Sequence, residues 1–323
     1  MDNRALHLIC SARTTLLHMK NTVKKPQRIK PANQILRSDR RLRINLVIPA
    51  ILGIWLVVGF PLLYAFYISL HDYILSQGGI KGFNPGNYPQ IFKDSLLIGA
   101  TRNTIVLTLS VVILEILIGF GLALLLNNKR LRGRDFYLLI LLIPMLMPPI
   151  TVGTIWRMLL HPELGILNYA MGVLGLPQPA WLGDPRLAMI TIIIVDIWHE
   201  TSFILLILLA GLTSLPDELY EAAMIDGANS RQQFRFLTVP LMMPTILVAV
   251  LIRMIAALKT YDLVYILTRG GPGISTETIS YYIYRVAFVF LDMGKSAAMS
   301  FLLLLVIVAL TLILMRVMRT SEV

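Results

Sequence analysis

The sequence predicts an all-α integral membrane protein with six transmembrane helices, and three observations lead there. Of its 323 residues 56% are hydrophobic and 15% charged, whereas soluble domains hold roughly half apolar and a quarter charged residues. A net charge of +11 beside a mean hydropathy of +0.73 means that the charge is concentrated, leaving long stretches nearly free of it. Six of those stretches are long enough to cross the roughly 30 Å hydrocarbon layer, which takes about 20 helical residues. Cys10 is the single cysteine and the five histidines are scattered, so neither a disulfide framework nor a metal site is expected. The aromatics lie inside apolar runs rather than among Lys and Arg, which points to anionic lipid and away from nucleic acid.

Residues 1–43 are polar, basic and unpatterned, and a disordered cytoplasmic tail is expected there. The apolar stretch before Cys10 is too short for a lipoprotein signal core, which takes about 7 to 15 residues. Met19 followed by Lys20 makes a plausible alternative start. The first span is 44–70. The second, 103–126, holds one acid, Glu115. The third, 136–156, is uncharged but carries Pro144, Pro148 and Pro149, which predict a kinked or interrupted helix. The fourth, 187–212, contains Asp196, His199 and Glu200; the fifth, 239–260, contains Arg253; the sixth is 296–315. The transmembrane domain is therefore 44–317, with 318–323 as a short C-terminal end.

Eleven Lys and Arg residues precede the first span, so the N-terminus is expected in the cytoplasm. Six spans return the C-terminus to the same side. Lys129, Arg130, Arg132 and Arg134 between spans two and three agree, as do Arg316 and Arg319. Loops 72–102 and 157–186 carry few basic residues, as outside loops should. Loop 259–295, with four, is the weakest witness. Three apparent motifs fail. Gly294-Lys295-Ser296 lacks the first glycine of a phosphate-binding loop, since Val289 stands there; His199-Glu200 lacks the second histidine of a zinc-protease helix; and Asp226-Gly227 lacks the downstream aspartates of a two-metal transferase.

Segment 213–238 then falls in the cytoplasm and is too patterned for a plain connector. Ser214 is suited to cap a helix, Pro216 to its first turn, and Asp217 with Glu218 to the positive end of its dipole. Leu219, Ala222, Ala223 and Asp226 share one face, where the alanines admit close packing by another protein. Gly227 permits a turn, a second helix starts near Ser230 and presents Phe234 and Leu237, and Pro240 and Pro244 restart the chain as span five.

Glu221-Ala222-Ala223, Gly227 six residues on, and Leu237-Thr238-Val239-Pro240 resemble the E-A-A…G…I-x-L-P loop of ATP-binding-cassette (ABC) importer permeases. Leu237 and Val239 are conservative departures from that pattern. The resemblance to the carbohydrate branch, the maltose and glycerol-phosphate type, extends through Ala210-Gly211-Leu212, Tyr261-Asp262, Tyr265 to Pro272 and Tyr282-Ile283-Tyr284. It covers 44–317 and implies a type I importer permease fold with both termini cytoplasmic. It also implies a coupling role for Glu221, Ala222, Ala223, Asp226, Gly227, Leu237 and Pro240 against a cytoplasmic ATPase. The implied partners are a second homologous permease, two ABC ATPase subunits and an extracytoplasmic solute-binding protein. The implied substrate is a di- or oligosaccharide, or a sugar or glycerol phosphate. ATP and Mg would be bound by the ATPase subunits, with no cofactor and no catalysis on this chain.

Ionisable groups inside spans cost about 2.5 to 3.5 kcal/mol each on insertion scales, so they face a cavity or one another. Asp196, His199, Glu200 and Phe203 form one stripe of span four; Arg253, Ala256, Ala257 and Thr260 form one of span five. Hydrogen-bonding groups beside an aromatic face and small residues suit a carbohydrate, and in maltose-type permeases the corresponding parts line the midplane sugar site. An ion pair of Arg253 with Glu200 or Asp196 accounts for the same residues equally well. Glu115 reads as an interhelical hydrogen-bonding group. A secondary, ion-coupled transporter would use the intramembrane acids but leaves 213–238 unexplained; an intramembrane enzyme using His199 and Glu200 lacks a catalytic constellation.

Overall fold

In a computed structural model the described residues are 47–128 and 131–321; the tail expected at 1–43, Lys129, Arg130 and the last two residues lie outside them. The chain divides into two compact units, Met1–Leu63 and Tyr64–Val323. The described part of the first is apolar and helical, the start of α1 (Val47–Ser69).

A small antiparallel hairpin follows, β1 (His71–Ile74) and β2 (Gly79–Phe83), turning through left-handed Gly78 and Gly79. It is the one departure from an all-α fold among the described residues, and sits in a loop expected outside. Next come α2 (Asn87–Ile91), α3 (Ser95–Leu126), α4 (Arg134–Leu142), α5 (Pro149–Leu159), α6 (Ile166–Val173) and α7 (Pro185–Thr213). The chain continues through α8 (Asp217–Ile225), α9 (Ser230–Leu258), α10 (Asp262–Leu267), α11 (Ile279–Tyr284) and α12 (Met293–Ser321). Five of these, α1, α3, α7, α9 and α12, are long and apolar enough to cross a membrane.

The helices outrun the uncharged stretches that announce them. α3 begins at Ser95, before Arg102, because the Asp94 carboxylate caps it by accepting from the Leu96 and Leu97 N–H groups. α9 begins at Ser230 and does not restart at Pro240: a π-helical turn, Phe234–Thr238, carries the helix past the proline, whose missing N–H would otherwise interrupt it. The expected third span is broken as its prolines require, by a 3₁₀ turn at Pro144–Leu146 between α4 and α5. Two α7 side chains serve the break: Ser202 Oγ donates to the Leu141 carbonyl (2.5 Å), and His199 Nε2 lies 3.0 Å from the Met147 carbonyl. A carbonyl only accepts, so that ring nitrogen carries the hydrogen.

α3 and α7 cross closely at Gly119, where a Cβ would stand 2.8 Å from Ile204 Cγ2; α7 and α9 do the same at Gly211, where it would meet Thr245 Cγ2 at 2.7 Å. Small residues at such crossings let backbones approach without a solvent-driven force between helices. Three apolar clusters result. One gathers Val111, Val152, Ile192, Ala257 and Val264; a second Ala123, Leu208 and Met242; a third Ile91, Ala100, Tyr282 and Met299.

Candidate functional site

Segment 213–238 is ordered by its own hydrogen bonds. At the end of α8, Gly227 takes φ 82°, and the chain reverses there: the Ala228 N–H donates to the Ala223 carbonyl (2.9 Å) and the Gly227 N–H to that of Met224 (3.1 Å), the paired bonds of a Schellman turn. Nothing lies within 4 Å of a Cβ built on Gly227, so it is the sign of φ rather than lack of room that calls for glycine. Asn229 then opens α9 with a reciprocal capping box: its Oδ1 accepts from the Gln232 N–H (3.0 Å), and Gln232 Oε1 accepts from the Asn229 N–H (2.8 Å). The Tyr220 hydroxyl and Thr238 Oγ1, 3.1 Å apart, tie α8 to the root of α9. The expected use of Ser214 is corrected: its hydroxyl donates back to the Gly211 carbonyl (2.7 Å) and closes α7, while Pro216 occupies the cap position of α8.

The predicted coupling residues lie together on this structure. Glu221, Ala222, Asp226, Gly227 and Pro240 are exposed; Ala223 and Leu237 are half-buried. Ala223, Gly227, Phe236 and Leu237 line a shallow cavity of about 330 Å³. Phe236 stands 67% exposed and Ile225, at the end of α8, 87% exposed, a large apolar display.

The intramembrane residues make the opposite arrangement. Arg253 on α9 grips Glu115 on α3 through two hydrogen bonds, Nε to Oε2 and Nη2 to Oε1 (2.9 Å), and Asp196 on α7 through Nη2 to Oδ2 (2.5 Å). All three side chains are at most 5% exposed. Asp196 is thus an Arg253 partner, as one of the two readings expected, but the second partner is Glu115 and not Glu200. Glu200 pairs with His199 Nδ1 at 3.1 Å and keeps 28% of its side chain exposed. Phe203 and Thr260 are half-buried, Ala257 is buried, and Ala256 is exposed.

The sequence reading missed a third constellation, at the opposite end of α3. The Asp94 carboxylate, besides capping α3, accepts from the Tyr282 hydroxyl and from Lys295 Nζ, each at 2.7 Å. Burial pushes its pKa up, and the Lys295 and Tyr282 hydrogen bonds outweigh that, holding it below the usual carboxylate value. Nearby, Arg285 Nη1 donates to Glu277 (2.6 Å), whose pKa is nonetheless pushed up by burial. Burial also raises Tyr261 to about 12, within a cluster of rings that includes Tyr265 and Tyr284 at 5.4 and 5.1 Å. Lys295 and Arg285 are two of the four basic residues that made loop 259–295 a weak topology witness. Each is matched by an acid of the same fold, so neither acts as a loose charge against the membrane.

This fold is that of the ABC importer permeases: over 89% of the chain and 99% of the other it superposes on a solved bacterial ABC transporter "involved in the import of the acidic polysaccharide alginate", with TM-score 0.78 and 22% identity. Among curated relatives, the chain is 35% identical to the "Sulfoquinovosyl glycerol transport system permease protein SmoG" of Agrobacterium fabrum, over 88% of this chain and 92% of that one. It is 33% identical to the "Trehalose/maltose transport system permease protein MalF" of Thermococcus litoralis, over 87% and 95%. Residues 115–322 match the family described as "Binding-protein-dependent transport system inner membrane component". The chain belongs to that family and is a multi-pass membrane permease.

Proposed function

We propose that the chain is one of two membrane subunits of an ATP-driven importer that takes up a carbohydrate. An extracytoplasmic binding protein would deliver the sugar, and two ATPase subunits would hold ATP and Mg; this chain would perform no catalysis. The observation that carries the reading is the pair α8 and α9, whose junction is closed by its own caps while Glu221, Ala222, Asp226, Ile225 and Phe236 stay exposed. Sugar-named relatives support the substrate class. In this reading α4 and α5 form one broken span, bringing the number to six, with both termini cytoplasmic. Closure of the ATPase dimer moves 213–238 as one piece, and α9, continuous with it through the π turn, transmits the motion into the bundle. Within the bundle, the mutually paired Arg253, Asp196 and Glu115 hold helices together, with His199 and Ala257 packed beside them. Glu200, Phe203 and Thr260 keep surface for the sugar.

The test is Gly227→Val. A β-branched residue at φ 82° strains the turn. The permease should still insert and fold, while ATPase subunits fail to co-purify and uptake is lost. Normal co-purification and uptake would refute the coupling role.

A further inference from the structure

α6 carries an apolar face that the described protein does not cover. Ile166, Tyr169, Ala170 and Val173 fall at i, i+3, i+4 and i+7, and all are exposed, Tyr169 and Val173 at 72% and 70%. Leu164, Leu174 and Leu176 extend the patch. The helix is held with this face turned out. On its other side Asn168 is 2% exposed; its amide donates to the Pro162 and Pro179 carbonyls (3.1 and 3.2 Å), and its Oδ1 accepts from the Trp181 indole (2.8 Å). The Trp181 carbonyl in turn accepts from Thr191 Oγ1 on α7 (3.2 Å).

Two features say what covers the patch. From 164 to 183 the chain has twenty residues without one Asp, Glu, Lys or Arg. A docking face for a soluble protein carries a polar, charged rim, whereas the headgroup boundary of a bilayer takes uncharged apolar surface set off by Tyr and Trp. Moreover, the flanking helices also expose apolar side chains at their ends toward α6 in sequence, Met158 near the end of α5 and Ile190 near the start of α7. Short tethers to both keep α6 near the membrane. We propose that α6 lies in the headgroup–acyl boundary of the bilayer, its Ile166, Tyr169, Ala170 and Val173 stripe against lipid and its Asn168 side bonded to protein. Asn168 takes the place of the charged face that free interfacial helices turn to water. The helix is then a float that fixes the depth of the 160–184 segment. Which leaflet it meets follows from the orientation proposed above; contact with lipid does not.

The experiment places an NBD fluorophore on a Val173→Cys variant in a Cys10→Ser background. The full chain is reconstituted in phosphatidylcholine–phosphatidylglycerol vesicles, with and without lipids bearing a nitroxide at a shallow acyl position. The label should lose fluorescence to the lipid nitroxide and be unaffected by aqueous iodide, while a label on Glu218→Cys in α8 shows the reverse. Ala170→Cys, on the same stripe, repeats the measurement should the first variant fold poorly. Quenching by iodide and not by the lipid nitroxide overturns the proposal; so does protection from iodide that arises only when a second permease or a soluble binding protein is added. A wrong orientation would appear as the opposite sidedness of the Glu218→Cys label and leave the lipid result unchanged.

Discussion

The charge cluster inside the bundle and the 213–238 segment are both built from residues that looked functional in the sequence, and they are finished in opposite ways. Arg253 gives three hydrogen bonds to Glu115 and Asp196, and the three are at most 5% exposed. The α8–α9 pair satisfies its backbone locally and leaves apolar and acidic side chains facing outward. A group paired within the fold contributes to the fold; one that is capped locally and left open is suited to meet something else. Motif and burial together separate these cases where residue type does not.

The largest effect expected from breaking that contrast is in the closed cluster. Arg253→Met strands two buried carboxylates, and losing one partner from a buried ionic network costs about 3 to 5 kcal/mol. The detergent-solubilised chain should melt markedly lower and insert poorly, before any partner or substrate is present. A triple variant, Glu115→Met, Asp196→Leu and Arg253→Met, should recover most of the loss, because replacing a whole buried ionic group by hydrophobic residues of similar volume is often nearly neutral. Native melting of the single variant would mean that the cluster is open, and would return Arg253 to the substrate pathway.

The two regions also differed in how far they could be read from sequence. Segment 213–238 was legible because its information is local: Gly227 and the acids of α8 lie within a few residues of what they organise, although the cap at Asn229 went unread. Even there Ser214 misled, since a hydroxyl between two helices can serve either one, and it bonds back to Gly211. The cluster was half legible. The cost of a charge in lipid demanded a partner for Arg253, but Glu115 lies 138 positions away and no pattern joins them. Pro240 was taken for a restart because a π turn leaves no sequence signature that composition reveals. The Asp94–Tyr282–Lys295 group escaped altogether: its members sit at the ends of α3, α11 and α12, and only the packing of those three helices brings them together.

That group supplies an intermediate test, because it is internally paired like the cluster yet sits at helix ends, with Lys295 26% exposed. Asp94→Asn keeps the cap of α3, since Asn caps well, but gives up the charge-assisted bonds from Lys295 and Tyr282. Partial exposure screens the pair, so a loss of about 1 to 2 kcal/mol is expected at neutral pH. The pH dependence has a definite sign. A carboxylate held below its unfolded pKa of about 3.9 stabilises fully above that value and loses its contribution as pH falls through the lower folded value. Native protein should therefore lose stability below about pH 4, and Asp94→Asn should lose less over the same interval. Parallel melting curves against pH would show that the Lys295 and Tyr282 contacts do not hold the carboxylate.

The smallest effect sharpens the claim that the open region is rigid before anything binds it. Asn229→Ala removes one half of the capping box and leaves the Schellman turn at Gly227 intact. Loss of such a cap costs about 1 kcal/mol, here confined to the junction of α8 and α9, so global melting should hardly move. What should change is local: amide exchange at Ser230 to Gln232 accelerates about fivefold, the rate equivalent of that energy, with no matching change around Arg253. If preorganisation matters to coupling, ATPase retention falls modestly in the same variant, and Asn229→Ser, which also caps, restores it. Unchanged exchange at Ser230 to Gln232 would mean that the junction is ordered by something other than its own caps.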